Sequence, residues 1–382
     1  MSDRPVSDWD PRDDSVLHDQ RRAYDEMRER CPVAHSDFLD WSLFRHADVV
    51  NVLADPKTYS SASRHRAIPN GMDPPEHTLY RRALEPYFTP ERMAAFEPHC
   101  RRIAIDLVQP LLARDEAEFV TEFAEPFPLK TLCAFLGWPP EIWEHLLGWN
   151  HGNQQVAFSQ DRVAGKALAR TFAGYVKEAL RVRREAGVDA SEDTTASLMI
   201  AEVEGEPLSD DDIVSLLRNW TAGQGTVAAA LGILVHYLAE HLDVQQHLRS
   251  ESALLPAAIE EILRVDSPLV ANRRTTTRNV EIGGRMIGAG EKLSLMWIAA
   301  NRDGRSFDGP DEVDFDCGPG ANLLFGAGIH DCIGAPLARL EMRIAMEELL
   351  ARTSRIESDG TEPPSRAIYP SNGFQAMKVR LS

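Results

Sequence analysis

The residues with the clearest capacity for chemistry form one glycine-rich segment in the last quarter of the chain. It reads Phe325-Gly326-Ala327-Gly328-Ile329-His330-Asp331-Cys332-Ile333-Gly334 and runs into Pro336 and a helix with an apolar face. This order predicts that Cys332 lies near a helix N-terminus, where backbone N–H groups and the helix dipole favour the thiolate and lower the thiol pKa. A thiolate is a strong ligand for a soft metal ion, and glycines allow a flat group to approach the backbone. A buried structural cysteine in a tight turn is the simpler alternative.

The complete pattern Phe-Gly-x-Gly-x-His-x-Cys-x-Gly resembles the haem-binding loop of the cytochrome P450 family. The resemblance implies that Cys332 is the iron ligand. It also implies that Phe325, Gly326, His330 and Gly334 bind haem b, iron protoporphyrin IX. The implied fold is the prism-like P450 fold, mainly α with a small β region, formed by residues 1–382 as a single domain.

Two other segments resemble family motifs that bind the haem propionates. His77 follows Asp73-Pro74-Pro75-Glu76, and Arg81 lies four residues later on the same predicted helical face. Arg274 precedes the turn at Gly283-Gly284 by the family's spacing. The resemblance implies that His77, Arg81, Arg274 and His330 share the two propionates, since guanidinium groups fork well onto carboxylates. Without this context, a lone histidine or a strand-edge arginine is commonly an ordinary surface or core residue.

Glu261 and Arg264 resemble the family's Glu-x-x-Arg pair, whose role there is structural. On any helix, a pair at this spacing is more often a solvated ion pair that contributes a few tenths of a kcal/mol. The segment from Gly309 to Cys317 has no basic residue where the family usually has one. We therefore expect the contacts of this pair to be completed in a different way.

A long central helix is predicted from Ser209 to His241, because Ser209-Asp-Asp-Asp forms a capping box before an apolar periodic pattern. Its interior contains Thr221-Ala222-Gly223-Gln224-Gly225-Thr226, and each interior glycine costs up to about 1 kcal/mol relative to alanine. Close helix packing is one compensation. The resemblance implies another, a local opening beside the oxygen-binding face of the haem, with Ala222 and Gly223 against the ring and Thr226 turned toward dioxygen.

Gly225 is the main departure from the family pattern, which has an acid at this position before the threonine. That acid and the threonine relay protons in the family, and Gln224 cannot release a proton as a carboxylic acid can. We therefore expect a different proton route, through Gln224, solvent or a substrate hydroxyl.

Hydrophobic periodicity predicts a mostly helical chain with few strands. The predicted helices are Asp48–Leu53, Pro90–Leu112, Ala164–Arg184, Ser209–His241 and Pro256–Arg264. The predicted strands are Val280–Ile282, Leu293–Ile298 and Met377–Leu381.

Composition excludes several classes of protein. The 41 Lys and Arg residues against 59 Asp and Glu residues leave a formal net charge of −18, which disfavours binding to nucleic acid or to an anionic membrane. Five cysteines without a Cys-x-x-Cys pair disfavour a disulfide framework or a structural zinc site. The polar N-terminus and the lack of a long uninterrupted apolar run predict a cytoplasmic protein with no membrane span. We also expect a monomer.

The resemblance implies a soluble bacterial-type haem-thiolate monooxygenase. Such an enzyme inserts one oxygen atom from dioxygen into a small, largely apolar organic substrate, by hydroxylation or by oxidative O-demethylation. By family position, the pocket is lined by Val156, Phe158, Val270, Asn272 and Phe374.

The chain has no flavin or iron–sulfur motif, so electrons from NAD(P)H must arrive through a reductase and a ferredoxin or flavin-type donor. We predict a basic docking patch that includes Arg339 and Arg343. Two alternatives remain open: a peroxygenase driven by hydrogen peroxide, which the missing acid at Gly225 favours, and a non-catalytic haem-binding protein or sensor.

Overall fold

The computed structural model describes residues 6–63, 65–315, 320–360 and 362–382. Within these ranges the α-helices are α1 (Asp14–His18), α2 (Gln20–Arg30), α3 (His46–Ala54), α4 (Glu76–Leu84), α5 (Pro90–Leu112), α6 (Pro126–Leu136), α7 (Trp143–Ser159), α8 (Arg162–Ala186), α9 (Thr194–Ile200), α10 (Asp210–Glu240), α11 (Leu242–Ser250), α12 (Leu255–Val265), α13 (Trp297–Ala300) and α14 (Ala335–Arg352). The strands are β1 (Val33–Ser36), β2 (Asp40–Leu43), β3 (Tyr59–Ser60), β4 (Ala117–Glu118), β5 (Glu202–Val203), β6 (Glu206–Pro207), β7 (Ala271–Thr276), β8 (Val280–Ile282), β9 (Arg285–Ile287), β10 (Lys292–Met296), β11 (Ile356–Ser358), β12 (Ser365–Arg366), β13 (Phe374–Ala376) and β14 (Lys378–Leu381). The prediction of a mainly α chain with a small β region is confirmed.

The five predicted helices are confirmed as α3, α5, α8, α10 and α12, and the bounds of α5 are those predicted. Strands β8 and β14 also lie where the pattern placed them. One strand prediction is wrong at its end. Strand β10 stops at Met296, while Trp297 and Ile298 begin the short helix α13. All three side chains are fully or nearly fully buried, and an apolar run that is buried on every side carries no periodicity to separate strand from helix.

Helix α10 runs through the helical core, packed against α6, α8, α12 and α14. Its capping box is present, since the Ser209 hydroxyl accepts from the Asp212 N–H at 3.1 Å and the Asp212 carboxylate accepts from the Ser209 N–H at 3.2 Å. The helix is continuous through Gly223 and Gly225. The local opening that we expected there is therefore absent.

A five-stranded sheet, in the order β1-β2-β10-β7-β3, forms the main β region beside the helical core. Strands β10 and β2 are parallel, and the other neighbours are antiparallel. The register sets Arg274 of β7 opposite Leu293 of β10, which is fully buried. The sheet therefore fixes the position of Arg274.

In the part of the chain that the structure describes, one helix, α10, is long and apolar enough to cross a membrane by length and composition. Half of the most apolar stretch of α10 is buried inside the protein. Burial of this kind is typical of a central helix in a packed core.

Candidate active site

The glycine-rich loop holds Cys332 two residues before the N-cap of α14. Gly326 and Gly328 both have a φ of 74°, in the left-handed region that glycine adopts readily. A Cβ on Gly328 would lie 2.8 Å from the carbonyl oxygen of Leu53, so α3 approaches the loop too closely for any side chain there. The loop closes through a hydrogen bond of 2.8 Å that the Cys332 N–H donates to the Phe325 carbonyl.

Burial by surrounding protein atoms raises the pKa of the Cys332 thiol, and the backbone N–H of Gly334 lowers it by less. Our prediction of a lowered pKa is therefore wrong for the protein chain alone. The residue has an exposed surface, but the protein packed around its thiol disfavours the charged thiolate. A bound cation is the usual means of deprotonating such a thiol outright.

A cluster of buried histidine nitrogens without hydrogen-bond partners lies beside this loop. The rings of His77 and His330 are 4.2 Å apart between centroids. Both ring nitrogens of His77 and the Nε2 of His330 are buried, and none has a hydrogen-bond partner among the described residues. Burial lowers the pKa of His77, and it lowers that of His330 to about 3 with help from His77 and Arg274. Two neutral imidazoles therefore face a space that lacks a partner for them.

Two arginines border the same space. Burial lowers the pKa of Arg274, whose guanidinium donates to the carbonyl of its neighbour Arg273 at 2.7 Å. Arg81 lies one turn after His77 and forms an ion pair of 2.9 Å with Asp331 of the loop. Because buried donors in proteins almost always have partners, this convergence fits a ligand with two carboxylates. The residues present therefore fit a haem, which carries two propionates.

Gly223 and Gly225 of α10 serve different purposes. A Cβ on Gly223 would meet no atom within 4 Å, so Gly223 borders open space. A Cβ on Gly225 would lie 3.5 Å from the amide nitrogen of Gln154 and 3.8 Å from that of Asn150, both on α7. Gly223 therefore leaves room for a flat ligand, whereas Gly225 packs against the neighbouring helix. Close packing therefore explains Gly225, whereas Gly223 borders open space although the helix itself does not open there.

Gln224 is buried and faces α14. With its amide nitrogen turned to the carboxyl group of Glu341, the nitrogen lies 3.2 Å from each carboxyl oxygen. Glu341 is fully buried, and burial raises its pKa well above the usual value. No cation pairs with it among the described residues, so the carboxyl group is held protonated.

Sequence reasoning missed Glu341, although a signal was present. It stands four residues after Leu337 and three before Ile344, on the apolar stripe of α14. An acid on a buried helical face is a departure from amphipathic patterning.

Glu261 and Arg264 form a buried pair with two hydrogen bonds, of 2.7 and 2.9 Å. Arg264 also donates to the carbonyl oxygens of Asn301, Pro310 and Glu312. Pro310 and Glu312 belong to the segment that lacks a basic residue. Backbone carbonyls of that segment therefore complete the contacts of the pair, which agrees with our expectation of a different arrangement. Cys317 of that segment lies outside the described residues.

The predicted pocket residues separate into two groups. Phe158 and Phe374 line a cavity of about 470 Å³ that borders Gln224 and Gly225. The other three do not line it. Val156 packs against Gly165 of α8, Val270 is fully buried in a separate apolar cluster, and Asn272 is exposed on β7.

The two arginines of the predicted docking patch are both paired with carboxylates. Arg339 pairs with Glu260 at 2.6 Å and lies over the Phe325 ring, and Arg343 pairs with Glu97 at 2.6 Å and with Glu347 at 2.8 Å. Acidic side chains of α5, α12 and α14 therefore lie next to both arginines, and the docking patch stays a prediction.

Comparison with known proteins identifies the family. Residues 155–375 match the sequence profile described as Cytochrome P450. The chain belongs to the cytochrome P450 family. It is 34% identical to the cyclomarin C epoxidase of Salinispora arenicola, over 88% of this chain and 89% of that protein. It is also 34% identical to the erythromycin C-12 hydroxylase of Saccharopolyspora erythraea, over 87% of each.

Solved P450 structures share the fold over nearly the whole chain. A mutant of P450 EryK in complex with erythromycin B matches with a TM-score of 0.87 and 30% identity, over 95% of this chain and 96% of that chain. CYP109E1 from Bacillus megaterium in complex with testosterone matches with a TM-score of 0.83 and 27% identity, over 98% of this chain and 100% of that chain.

Family membership confirms four of our predictions: the P450 family, the P450 fold, an oxidoreductase of the monooxygenase type, and haem b as cofactor. As in bacterial P450 systems, electrons derived from NAD(P)H arrive through a reductase.

Proposed function

We propose that this P450 inserts one oxygen atom into a small, largely apolar organic substrate, by hydroxylation or oxidative O-demethylation, with electrons from a separate ferredoxin or flavin-type donor. The names of the similar proteins, an epoxidase and a hydroxylase, support oxygen insertion as the reaction. When bound, the haem supplies dioxygen activation, and the chain positions the participants.

The single observation that carries this proposal is the set of buried ring nitrogens without partners at His77 and His330. They lie beside Arg274 and Arg81 and next to the Cys332 loop. In our proposal these four residues bind the propionates, and Cys332 donates its sulfur to iron. Phe325, Gly326 and Gly334 shape the loop around that sulfur.

The face of α10 that carries Ala222, Gly223 and Thr226 would lie over the other side of the haem. The space beside Gly223 supports this arrangement. Thr226, two residues after Gln224, would orient the oxygen to be activated through its hydroxyl group. The protonated Glu341, hydrogen-bonded to Gln224, would hold the proton that an acid at position 225 holds in other members.

The test is the optical spectrum of the purified holoprotein, ferric and then reduced under carbon monoxide, followed by product analysis with a reductase system. A thiolate-type carbon monoxide band and oxygenated product are expected. Cys332→Ser is the ligation variant, and Cys100→Ser, at a buried cysteine elsewhere in the fold, is the matched control that keeps the band.

The peroxygenase alternative is tested on the same preparation. Turnover that is faster with hydrogen peroxide than with reductase and NAD(P)H would favour it. A normal band without any oxygenated product would favour the non-catalytic haem-binding protein.

A further inference from the structure

Helix α10 carries a partly buried guanidinium with no carboxylate partner in the described chain. The Nη2 of Arg218 donates to the carbonyl oxygen of Arg66 at 3.0 Å. Burial lowers the pKa of Arg218, and no acidic side chain of the described residues offsets this effect. The neighbouring Arg66 differs, because it pairs with Asp212 at 2.7 Å and lies over the Tyr80 ring.

Helical geometry places Arg218 above the haem-facing part of α10. It precedes Ala222 by one turn and Thr226 by eight residues, which is about 12 Å along the helix axis. At about 100° per residue, its side chain leaves the helix within about 40° of Ala222 and 80° of Thr226. Arg218 and these two residues therefore share one side of α10.

Two contacts of α10 with other elements lie close to Arg218 in the chain. Asn150 of α7 donates to the Thr221 carbonyl at 3.2 Å. Asn219 donates to the carbonyl of Ile68 at 2.8 Å, in the loop that precedes α4. Arg218 therefore lies within one turn of both contacts and one turn before Ala222.

Arg218 belongs to α10, whereas the residues proposed for the propionates belong to α4, β7 and the cysteine loop. The chain as a whole repels anions, with a formal net charge of −18. A partly buried arginine without a carboxylate partner among the described residues is therefore a local exception, and a carboxylate would satisfy it with two parallel hydrogen bonds.

We propose that the substrate is a carboxylic acid whose carboxylate pairs with Arg218, which sets the carbon to be oxidised near Ala222 and Thr226. This rests on the proposed function, since it names the substrate class of the same site. The distance along α10 favours acids whose apolar part spans about 12 Å.

The experiment measures dissociation constants on the holoprotein by calorimetry and by the ferric spin-state shift. The probes are octanoic, decanoic and dodecanoic acid and the methyl ester of each, which differ in charge but share their apolar chain. The variants are Arg218→Gln, Arg218→Lys and the control Arg102→Gln, which removes one exposed positive charge on α5.

At least one acid should bind the wild type about tenfold or more tightly than its ester, as expected for a charged hydrogen-bonded pair. The ratio of the ester's dissociation constant to the acid's should fall to about one in Arg218→Gln. It should persist in part in Arg218→Lys and remain unchanged in Arg102→Gln. If no acid binds more tightly than its ester, or if Arg218→Gln keeps the preference, the proposal is wrong.

Two controls separate the possible failures. Arg218→Gln removes no ion pair, so its melting temperature without ligand should equal or exceed that of the wild type. The carbon monoxide band reports the haem-thiolate function independently of the substrate. A normal band without a preference for the acid overturns only the proposal that the substrate is a carboxylic acid. An abnormal band with a preference for the acid overturns only the proposed function.

Discussion

Gln224 and Glu341 face each other between α10 and α14, with the amide nitrogen 3.2 Å from both carboxyl oxygens and both side chains buried. The pair joins the helix that carries Thr226 to the helix that follows Cys332. It also places a protonated acid against Gln224, the residue before Gly225, where the family pattern has an acid.

We predict that Glu341→Gln and Gln224→Ala each lower the coupling of NAD(P)H consumption to product formation. The first variant removes the buried proton donor, and the second removes the hydrogen bond to it. General acid–base contributions are typically about 10²-fold or more, so product per electron pair should fall by a large factor. Product and hydrogen peroxide are measured together. Gln245→Ala, at a buried glutamine on α11, is the control. Unchanged coupling in Gln224→Ala would remove Gln224 from the proton route.

Glu341 also predicts a pH dependence of stability. Because burial raises its pKa well above 4.5, the folded protein binds a proton that the unfolded chain releases as the pH rises through that value. Stability from this group is full below about pH 4.5 and is lost as the pH rises toward the folded-state pKa. The free energy of unfolding of Glu341→Gln relative to wild type should therefore increase with pH. A difference that is flat with pH would show that Glu341 is not protonated in the folded state.

The unpartnered ring nitrogens of His77 predict opposite effects of a substitution on protein stability and on haem affinity. His77→Ala removes two buried nitrogens without partners, each of which costs about 1–3 kcal/mol when unsatisfied. The haem-free protein should therefore keep or gain thermal stability, while haem affinity falls. Haem content and melting temperature of both forms are compared. His99→Ala, at an exposed histidine on α5, should change neither value. A destabilised haem-free protein with normal haem content would assign His77 to the fold alone.

Replacement of Arg264 is expected to cause a large loss of folding stability. It holds Glu261 and three backbone carbonyls in a buried site, and breaking a buried pair typically costs about 3–5 kcal/mol. Arg264→Ala should lower the denaturant midpoint strongly. Arg181→Ala, which breaks an exposed pair with Glu178 and Glu185, should cost under about 1 kcal/mol. Equal losses in the two variants would mean that Arg264 has no structural role.

Much of the fold is predictable from local pattern. The capping box at Ser209 and the regular spacing of apolar residues predict α10, and the same spacing predicts α5 to the residue, because helix starts and amphipathic faces are encoded over a few turns. The end of strand β10 is not predictable from local pattern. The side chains there are buried on all sides, so only the packing of α13 decides where the strand stops.

The sequence by itself determined the family, the cysteine loop and the order of the motifs, since each depends on residues close together in the chain. The tertiary structure alone decided which charges are free. Arg339 and Arg343 pair with acids of distant helices, whereas Arg218 has no carboxylate partner among the described residues. It also brought Glu341 to Gln224 and left His77 and His330 without partners. Pairing and burial depend on residues far apart in the chain, so no local pattern specifies them.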